Sequence, residues 1–521
     1  MSIFTVAQII DKPRPSERAR VASTFGAESL TFGELQVRSE SVAAGLREAG
    51  FRQGDRLGAL MQNRLEWLEI FFAVARLGGV LVPLNHLLTP HELGYILDDS
   101  GARWLLAEDA AWGKVDGLPA DTRERVTAIS VGAPQPESIP YGQLAESPRL
   151  GEAPAIDGDD LLLLQYTSGT TGSPKGAMHT HATVLWNAIS QRQQFSIDET
   201  TVYLCLPALS WVAGFHSLHL ETLWSGGRSV LNPTDRSFDP VEFCRLVERE
   251  RITTFACVPT VLRRVLGVDD LDRYDLSSLR TAVLGGEPVP VHLLEEMTAR
   301  LPHMAGIQAY GMSEFPSLVT LLEPEFAASK LGSAGRANPA SQVRVVDGEG
   351  ADCAPGTIGE ILTRSPANMV GYYGKSEETA RVLRGGWFHT GDLGYIDEDG
   401  FLYISGRSKD VIISGGLNIY PAEIEDVLSR HEAVAEVAVI PVADDKWGEI
   451  ARAVVVLEDG ATVEEGELRE YVEPFLARFK IPKSWKISHG PPLPRTPSGK
   501  LQKFKIIEAE QRESAVAGRK D

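Results

Sequence analysis

The sequence predicts an α/β protein of two domains. The first is a large N-terminal domain of α/β layers plus a small barrel, and the second is a small mobile α+β domain. Three observations carry this. The chain has 521 residues, more than a single hydrophobic core normally serves. Short apolar runs alternate with helical periodicity over most of its length, the pattern of parallel sheets covered by helices. Just past residue 406 the pattern changes, and the remaining C-terminal stretch has the strand and helix content of a compact unit of its own.

In order, residues 56–61, 79–84, 104–107 and 127–131 read as strands, with helices at 39–49 and 64–77 between them. Leu161-Leu162-Leu163-Leu164 reads as a buried strand. Residues 230–231, 254–258 and 281–284 continue the series, with helices near 240–250 and 290–300. Between 341 and 405 the strands shorten and Asp-Gly turns recur (Asp347-Gly348, Asp399-Gly400), as in a meander or small barrel. After Ser405-Gly406-Arg407 come a strand at 410–413, a helix at 421–430 opened by Pro421, strands near 434–440 and 451–457, and a helix at 465–478. The basic stretch 478–483 reads as a solvated helix end, and the polar tail after Glu508 as frayed.

Composition narrows the function. A net charge of -20 and a pI near 5.1 argue against nucleic acid and against an anionic membrane surface as partners. Cys205, Cys244, Cys257 and Cys353 form no C-x-x-C pair and read as buried thiols of a reducing compartment. The first twenty residues lack the apolar core of a signal peptide. The most apolar stretch, 68–84, is broken by Glu69, Arg76 and two glycines, too often for a membrane span. The expectation is a cytoplasmic protein, monomer or homodimer. His179 and His181, and His216 and His219, have no third ligand at zinc spacing.

The most informative string is Tyr166-Thr167-Ser168-Gly169-Thr170-Thr171-Gly172-Ser173-Pro174-Lys175-Gly176. It leaves the Leu161–164 run as a loop. Its glycines let backbone N–H groups curl around an anion, its hydroxyls add donors, and Lys175 adds a positive charge. Such a loop suits a polyphosphate, though the spacing is not the Walker pattern. Three further strings stand downstream. Gln308-Ala309-Tyr310-Gly311-Met312-Ser313-Glu314 combines an aromatic face with a carboxylate. Gly386-Trp387-Phe388-His389-Thr390-Gly391-Asp392, followed by Arg407 and Lys409, places a carboxylate that can accept a ribose diol. Pro494-Arg495-Thr496-Pro497-Ser498-Gly499-Lys500 sets a lysine in a Pro/Gly loop.

Together these strings resemble the adenylate-forming (ANL) enzymes: acyl- and aryl-CoA ligases, luciferases and peptide-synthetase adenylation domains. The matches run in order from 166 to 500, so the resemblance spans nearly the whole chain. It implies an AMP-binding domain over 1–408, a hinge at Lys409 and a mobile domain over 409–521. It assigns Thr167, Ser168, Gly169, Thr170, Thr171 and Lys175 to phosphates. Gly286, Glu287, Pro288, Ala309, Tyr310 and Gly311 go to adenine, Asp392 and Arg407 to ribose. Ser313 falls to a phosphate contact, Glu314 to Mg²⁺ and Lys500 to the catalytic lysine, which would bridge the carboxylate and the α-phosphate. Since Lys500 belongs to the mobile domain, closure would assemble the site.

The reaction so implied takes ATP, Mg²⁺ and a small-molecule carboxylic acid to an acyl-AMP, then passes the acyl group to CoA or an amine acceptor. The expected acyl pocket uses Ser210, Trp211, Phe215, Gly285, Ala309 and Pro316. Segment 206–215 is apolar and has no carboxylate, whereas amino-acid-activating relatives usually place an Asp there. That disfavours an α-amino acid as the activated acid. The bulk of Trp211, and Ala309 where the family often has Gly, suggest a pocket of limited depth for an aromatic, cyclic or medium-chain acid. Ser414-Gly415-Gly416 resembles the loop that admits the pantetheine arm of CoA. Two alternatives are an amide ligase of the coronafacic-acid-ligase kind and a non-catalytic AMP-binding regulator. Glu314 and Lys500 together disfavour the second.

Overall fold

The computed structural model describes residues 5–11, 17–167, 174–235, 237–286, 289–407, 410–414, 417–444, 446–495 and 501–517, with backbone alone at 316, 317, 511 and 513–517. By internal contacts the chain divides into two units. One comprises Met1–Ser329, Gly335–Gln342 and Thr363–Phe388, the other Lys330–Ala334, Val343–Leu362 and His389–Asp521.

Two sheets organise the first unit. A nine-stranded sheet has a parallel centre of Arg228–Leu231, Val202–Cys205, Thr254–Cys257, Thr281–Gly285 and Ala305–Met312, closed on one side by antiparallel Phe315–Leu322. An eight-stranded sheet has parallel Val80–Pro83, Arg56–Leu60, Trp104–Glu108 and Thr127–Val131. Its strand Leu161–Thr167 runs parallel to Val80–Pro83 and antiparallel to Lys175–Thr180. Helix Glu66–Arg76 is buried from Trp67 onward, and Trp67, Phe71 and Phe72 are fully enclosed in the largest apolar cluster. The two buried charges of this helix are partnered, Glu69 by Arg38 and Tyr141 and Arg76 by Asp11, as burial of a charge requires.

Two helices extend the sequence-based expectation. The helix expected at 39–49 begins at Phe32, where Thr31 and Glu34 form a capping box. Helix Pro90–Ser100, absent from that reading, starts on another such box, Thr89 with Glu92, with Pro90 at its first position.

In the second unit Val434–Asp444 and Gly448–Leu457 form a long antiparallel pair, with Ser484–Ser488 added in parallel. Helices Pro421–Leu428 and Glu465–Val472 pack on this sheet through Ile424, Leu428, Leu468 and Val472. Three expectations are corrected here. The helix expected to reach 478 stops at Val472, because Pro474 lacks an N–H and crowds the preceding turn. The stretch 478–483 is no helix end: Lys480 is bonded to Glu423, and Phe479 and Ile481 pack into the core. The tail forms helix Lys503–Ala517, pinned where Glu510 meets Arg452 and Lys486. Cys205, Cys244 and Cys257 are buried, but Cys353 is only partly so.

Among the described residues no helix is long and apolar enough to cross a membrane.

Candidate functional site

The phosphate-loop string is the tip of a hairpin. Thr167 faces Lys175 across its two strands, and Tyr166 faces Gly176. Ser168, Gly169, Thr170 and Thr171 lie outside the described residues. Lys175 leaves the second strand with its Nζ 5.4 Å from the ring centroid of Tyr372. The hydroxyl of Tyr372 donates to Glu314 Oε1 at 2.8 Å. One tyrosine therefore touches both the cation of the first string and the carboxylate of the second. Glu314 is further held through its backbone, whose carbonyl accepts from Met369 N at 2.8 Å. Next to it, the carbonyl of Ser313 receives His179 Nε2 at 2.8 Å. Burial lowers the His179 pKa to about 4, so the ring is neutral and Nε2–H is the donor. Glu314 is a hard oxygen donor that Tyr372 links to Lys175. Such a carboxylate suits the Mg²⁺ of a bound nucleotide, which keeps most of its ligands as phosphate and water. Among the described residues no group of three or more His, Cys, Asp or Glu could hold a metal by itself.

Upstream of Glu314 two strands approach closely. Gly285 pairs with Ala309, and a Cβ on Gly285 would stand 2.7 Å from the Ala309 carbonyl oxygen. Gly286 follows at φ +83°, a conformation that glycine adopts without strain. Tyr310 and Gly311 continue the strand, half-buried, with Tyr310 opposite Thr320. Glu287 and Pro288 lie outside the described residues, as does the side chain of Pro316.

The segment expected to line the acyl pocket is tied to the hairpin. Gln165 Nε2 donates to the Ser210 carbonyl at 3.2 Å. Ser210 Oγ and Trp211 Nε1 are buried with no hydrogen-bond partner among the described residues, although the Trp211 side chain as a whole is only partly covered. Phe215 is 3% exposed. It packs on Phe71 with ring centroids 4.3 Å apart and stacks on His219, so its ring is held by the core.

The remaining candidates belong to the second unit. Asp392 and Arg407 face each other on neighbouring strands, with Arg407 Nε 3.1 Å from Asp392 Oδ1. Asp392 is shielded while Arg407 is largely open. Ser414 is buried, and Lys483 Nζ reaches its Oγ at 3.5 Å. Lys409, Gly415, Gly416 and Lys500 lie outside the described residues. Arg495 and Leu501, which flank the Lys500 segment, form an antiparallel bridge.

A family profile of AMP-binding enzymes matches residues 12–373, and one of the AMP-binding enzyme C-terminal domain matches 423–500. The chain belongs to the AMP-binding enzyme family. A feruloyl-CoA synthase from an Amycolatopsis species is 39% identical to this AMP-binding enzyme over 94% of the chain and 97% of that protein. Two solved structures share its fold. An anthranilate CoA ligase in complex with anthranoyl-AMP has a TM-score of 0.90, with 26% identity over 99% of both chains. The o-succinylbenzoate coenzyme A synthetase of Bacillus subtilis, in complex with ATP and a magnesium ion, has a TM-score of 0.83, with 32% identity over 96% of this chain and 98% of that one. A ligase named for long-chain fatty acids also matches. These likenesses establish the fold and the ligase class.

Sequence reasoning missed Tyr372, His179 and Gln165. No local spacing marks them: each acts on a residue more than forty positions away.

Proposed function

We propose that this AMP-binding enzyme is an acid–CoA ligase working in two steps. In the first, the carboxylate oxygen of a small acid attacks the α-phosphorus of MgATP. The bond to the β,γ-diphosphate breaks, giving acyl-AMP and pyrophosphate. In the second, the CoA sulfur attacks the acyl carbonyl, AMP leaves with its phosphate oxygen, and the thiol proton is lost to solvent. The observation that carries the reading is the convergence of Lys175, Tyr372 and Glu314 at the foot of the Thr167–Lys175 hairpin, in a chain of this family.

Thr167, Lys175 and the loop residues Ser168 to Thr171 would cradle the β- and γ-phosphates. Glu314 would hold the nucleotide's magnesium, which offsets phosphate charge when bound. Tyr310 and Ala309 would flank the adenine, opposite Gly286. Asp392, shielded and held by Arg407, would accept the ribose hydroxyls. Lys500 would bring a positive charge to the reacting carboxylate and α-phosphate, and Lys409 would be the hinge between domains cut at 408/409. The pantetheine arm would pass Ser414, Gly415 and Gly416. The half-covered Trp211 would bound the acyl pocket, favouring an aromatic, cyclic or medium-chain acid. We place the reaction in the cytoplasm.

A panel of acids with MgATP, assayed for AMP with CoA, with amino acids and with neither, tests the reading. CoA-dependent AMP release is expected. Release that depends on an amino acid instead would make it an amide ligase, and none with any acid would leave only nucleotide binding. Lys500→Ala should lower acid-dependent pyrophosphate release about a hundredfold or more, yet still convert supplied acyl-AMP. Equal loss in both steps would refute the role of Lys500.

A further inference from the structure

Helix Pro90–Ser100 carries Tyr95 and Asp99 four residues apart, a spacing that puts both side chains on one face. Both reach the hairpin. The Tyr95 hydroxyl donates to the Pro174 carbonyl at 3.2 Å. Asp99 Oδ2 accepts the Tyr166 hydroxyl at 2.8 Å. Tyr166 precedes Thr167 on the strand that enters the loop, and Pro174 precedes Lys175 at the end of the loop, so the helix grips both sides of the facing pair Thr167 and Lys175. The other Asp99 oxygen, Oδ1, accepts from Lys375 Nζ at 2.7 Å. Lys375 lies three residues beyond Tyr372, the residue that touches Lys175 and Glu314. Between them Tyr373 N donates to the Gly176 carbonyl at 2.9 Å. The ring of Tyr166 presses on the same glycine, where a Cβ would meet it at 3.1 Å.

The Asp99 side chain is 15% exposed and that of Lys375 23%. An exposed ion pair contributes little, but this carboxylate is shielded and joins two separate chain segments. Burial and the Asp99 carboxylate both hold the proton on Tyr166 by raising its pKa, so the phenol stays a donor.

We propose that Asp99 is a positioning residue for nucleotide binding: by joining Tyr166 to Lys375 it fixes the base of the hairpin, and with it Thr167 and Lys175, against Glu314. The proposal rests on the reading of the hairpin as a phosphate site. Asp99 itself touches no substrate. Its effect is transmitted through Tyr166 on one side and through the 371–375 segment on the other.

The test is calorimetric binding of MgATP in the absence of acid. It compares wild type, Asp99→Ala, Asp99→Asn and Lys375→Met, with melting temperatures, acid KM and turnover of supplied acyl-AMP measured alongside. Asp99→Ala should weaken MgATP about ten- to a hundredfold, the scale of hydrogen bonds to a charged group. Asp99→Asn should lose less, because its amide oxygen still accepts from Tyr166. Acid KM and acyl-AMP turnover should hold. An unchanged MgATP affinity in Asp99→Ala overturns the proposal. So does a parallel fall in nucleotide affinity, acid affinity and melting temperature, the mark of a general scaffold role. Should Asp99→Ala not fold, unchanged affinity in both Asp99→Asn and Lys375→Met overturns it equally. Wild-type protein that binds no MgATP would sink the phosphate reading itself, an outcome distinct from any failure of the variants alone.

Discussion

Two polar clusters in the first unit use the same residue types to opposite ends. Around the hairpin, Glu314 accepts from Tyr372, Asp99 from Tyr166 and Lys375, and Lys175 lies over a ring. In the core behind it, His216, His219 and Glu221 are completely buried, and His216 Nδ1 and Nε2, His219 Nε2 and Glu221 Oε2 lack partners among the described residues. Burial lowers His216 and His219 to about 3 and raises Glu221 to about 8. Strong pKa shifts often flag active sites. In this core cluster their largest cause is desolvation, and the cluster proposed to do chemistry is the one whose charged groups have partners. The comparison can be broken by exchanging charge for shape in each cluster.

The largest effect is expected from Glu221→Gln. Asn187 Nδ2 lies 3.5 Å from Glu221 Oε1, and an amide oxygen can take that place. Because the folded pKa of Glu221 is raised, its contribution to stability is complete below the unfolded value of 4.5 and is lost as pH climbs through about 8. The variant should therefore gain on wild type by roughly 3–4 kcal/mol more at pH 8 than at pH 5, read from denaturant midpoints, with turnover unchanged. A gain independent of pH would mean that Glu221 is ionised and paired, and the contrast between the clusters would fail. Next comes Glu314→Gln, which keeps an acceptor for Tyr372 and drops the charge. Acid-dependent pyrophosphate exchange should fall about a hundredfold, with the melting temperature unmoved. A folded, fully active variant would remove Glu314 from the site.

How the two clusters stood in the sequence differs as well. The hairpin was legible because its chemistry is local: glycines, hydroxyls and a lysine must lie side by side to wrap an anion. The parallel strands were legible as continuous apolar runs. The devices that hold the site were not, since Asp99 and Tyr372 act on partners 67 and 58 residues distant. Two features stood in plain local signals and were overlooked: the Thr89–Glu92 capping box and the stop at Pro474. The core histidines gave no sign of burial, because three-residue spacing fits a wet helix face as readily as a dry one. Phe215 was assigned to a pocket on segment position alone, and its partners Phe71 and His219 hold it in the core.

His216→Leu probes the core cluster from the acid side. The His216 carbonyl accepts from Asn187 and Gln191, bonds that the substitution leaves in place. Its ring pKa is lowered, chiefly by burial and then by His179 and His219. The stability it allows is thus present above the unfolded 6.5 and is lost as pH falls toward 3. Removing the ring should stabilise the protein by about 2 kcal/mol more at pH 5 than at pH 7.5. The check is a pair of urea titrations. An acid limb that does not flatten would show that the ring finds a proton partner in the folded state.

Trp211→Ala gives the smallest expected change and sharpens the boundary between the clusters. Trp211 adjoins Ser210, whose carbonyl is held from the hairpin side by Gln165, while its own indole N–H is buried and unpartnered among the described residues, as in the core. A tryptophan wholly inside a core costs about 3–5 kcal/mol when truncated. Trp211 is only partly covered, so the expected loss is well below that range. As a pocket wall its removal should shift the ratio of kcat/KM between a longer and a shorter acid about tenfold, the scale of one added methylene in an apolar site. Melting temperature and an acid panel on the same preparation decide the matter. A large fall in melting temperature with an unchanged acid ranking would move Trp211 to the core side of the comparison. The depth of the pocket would then have to be set by Ala309 and the backbone at Gly285, which closes on it at 2.7 Å from where a Cβ would lie.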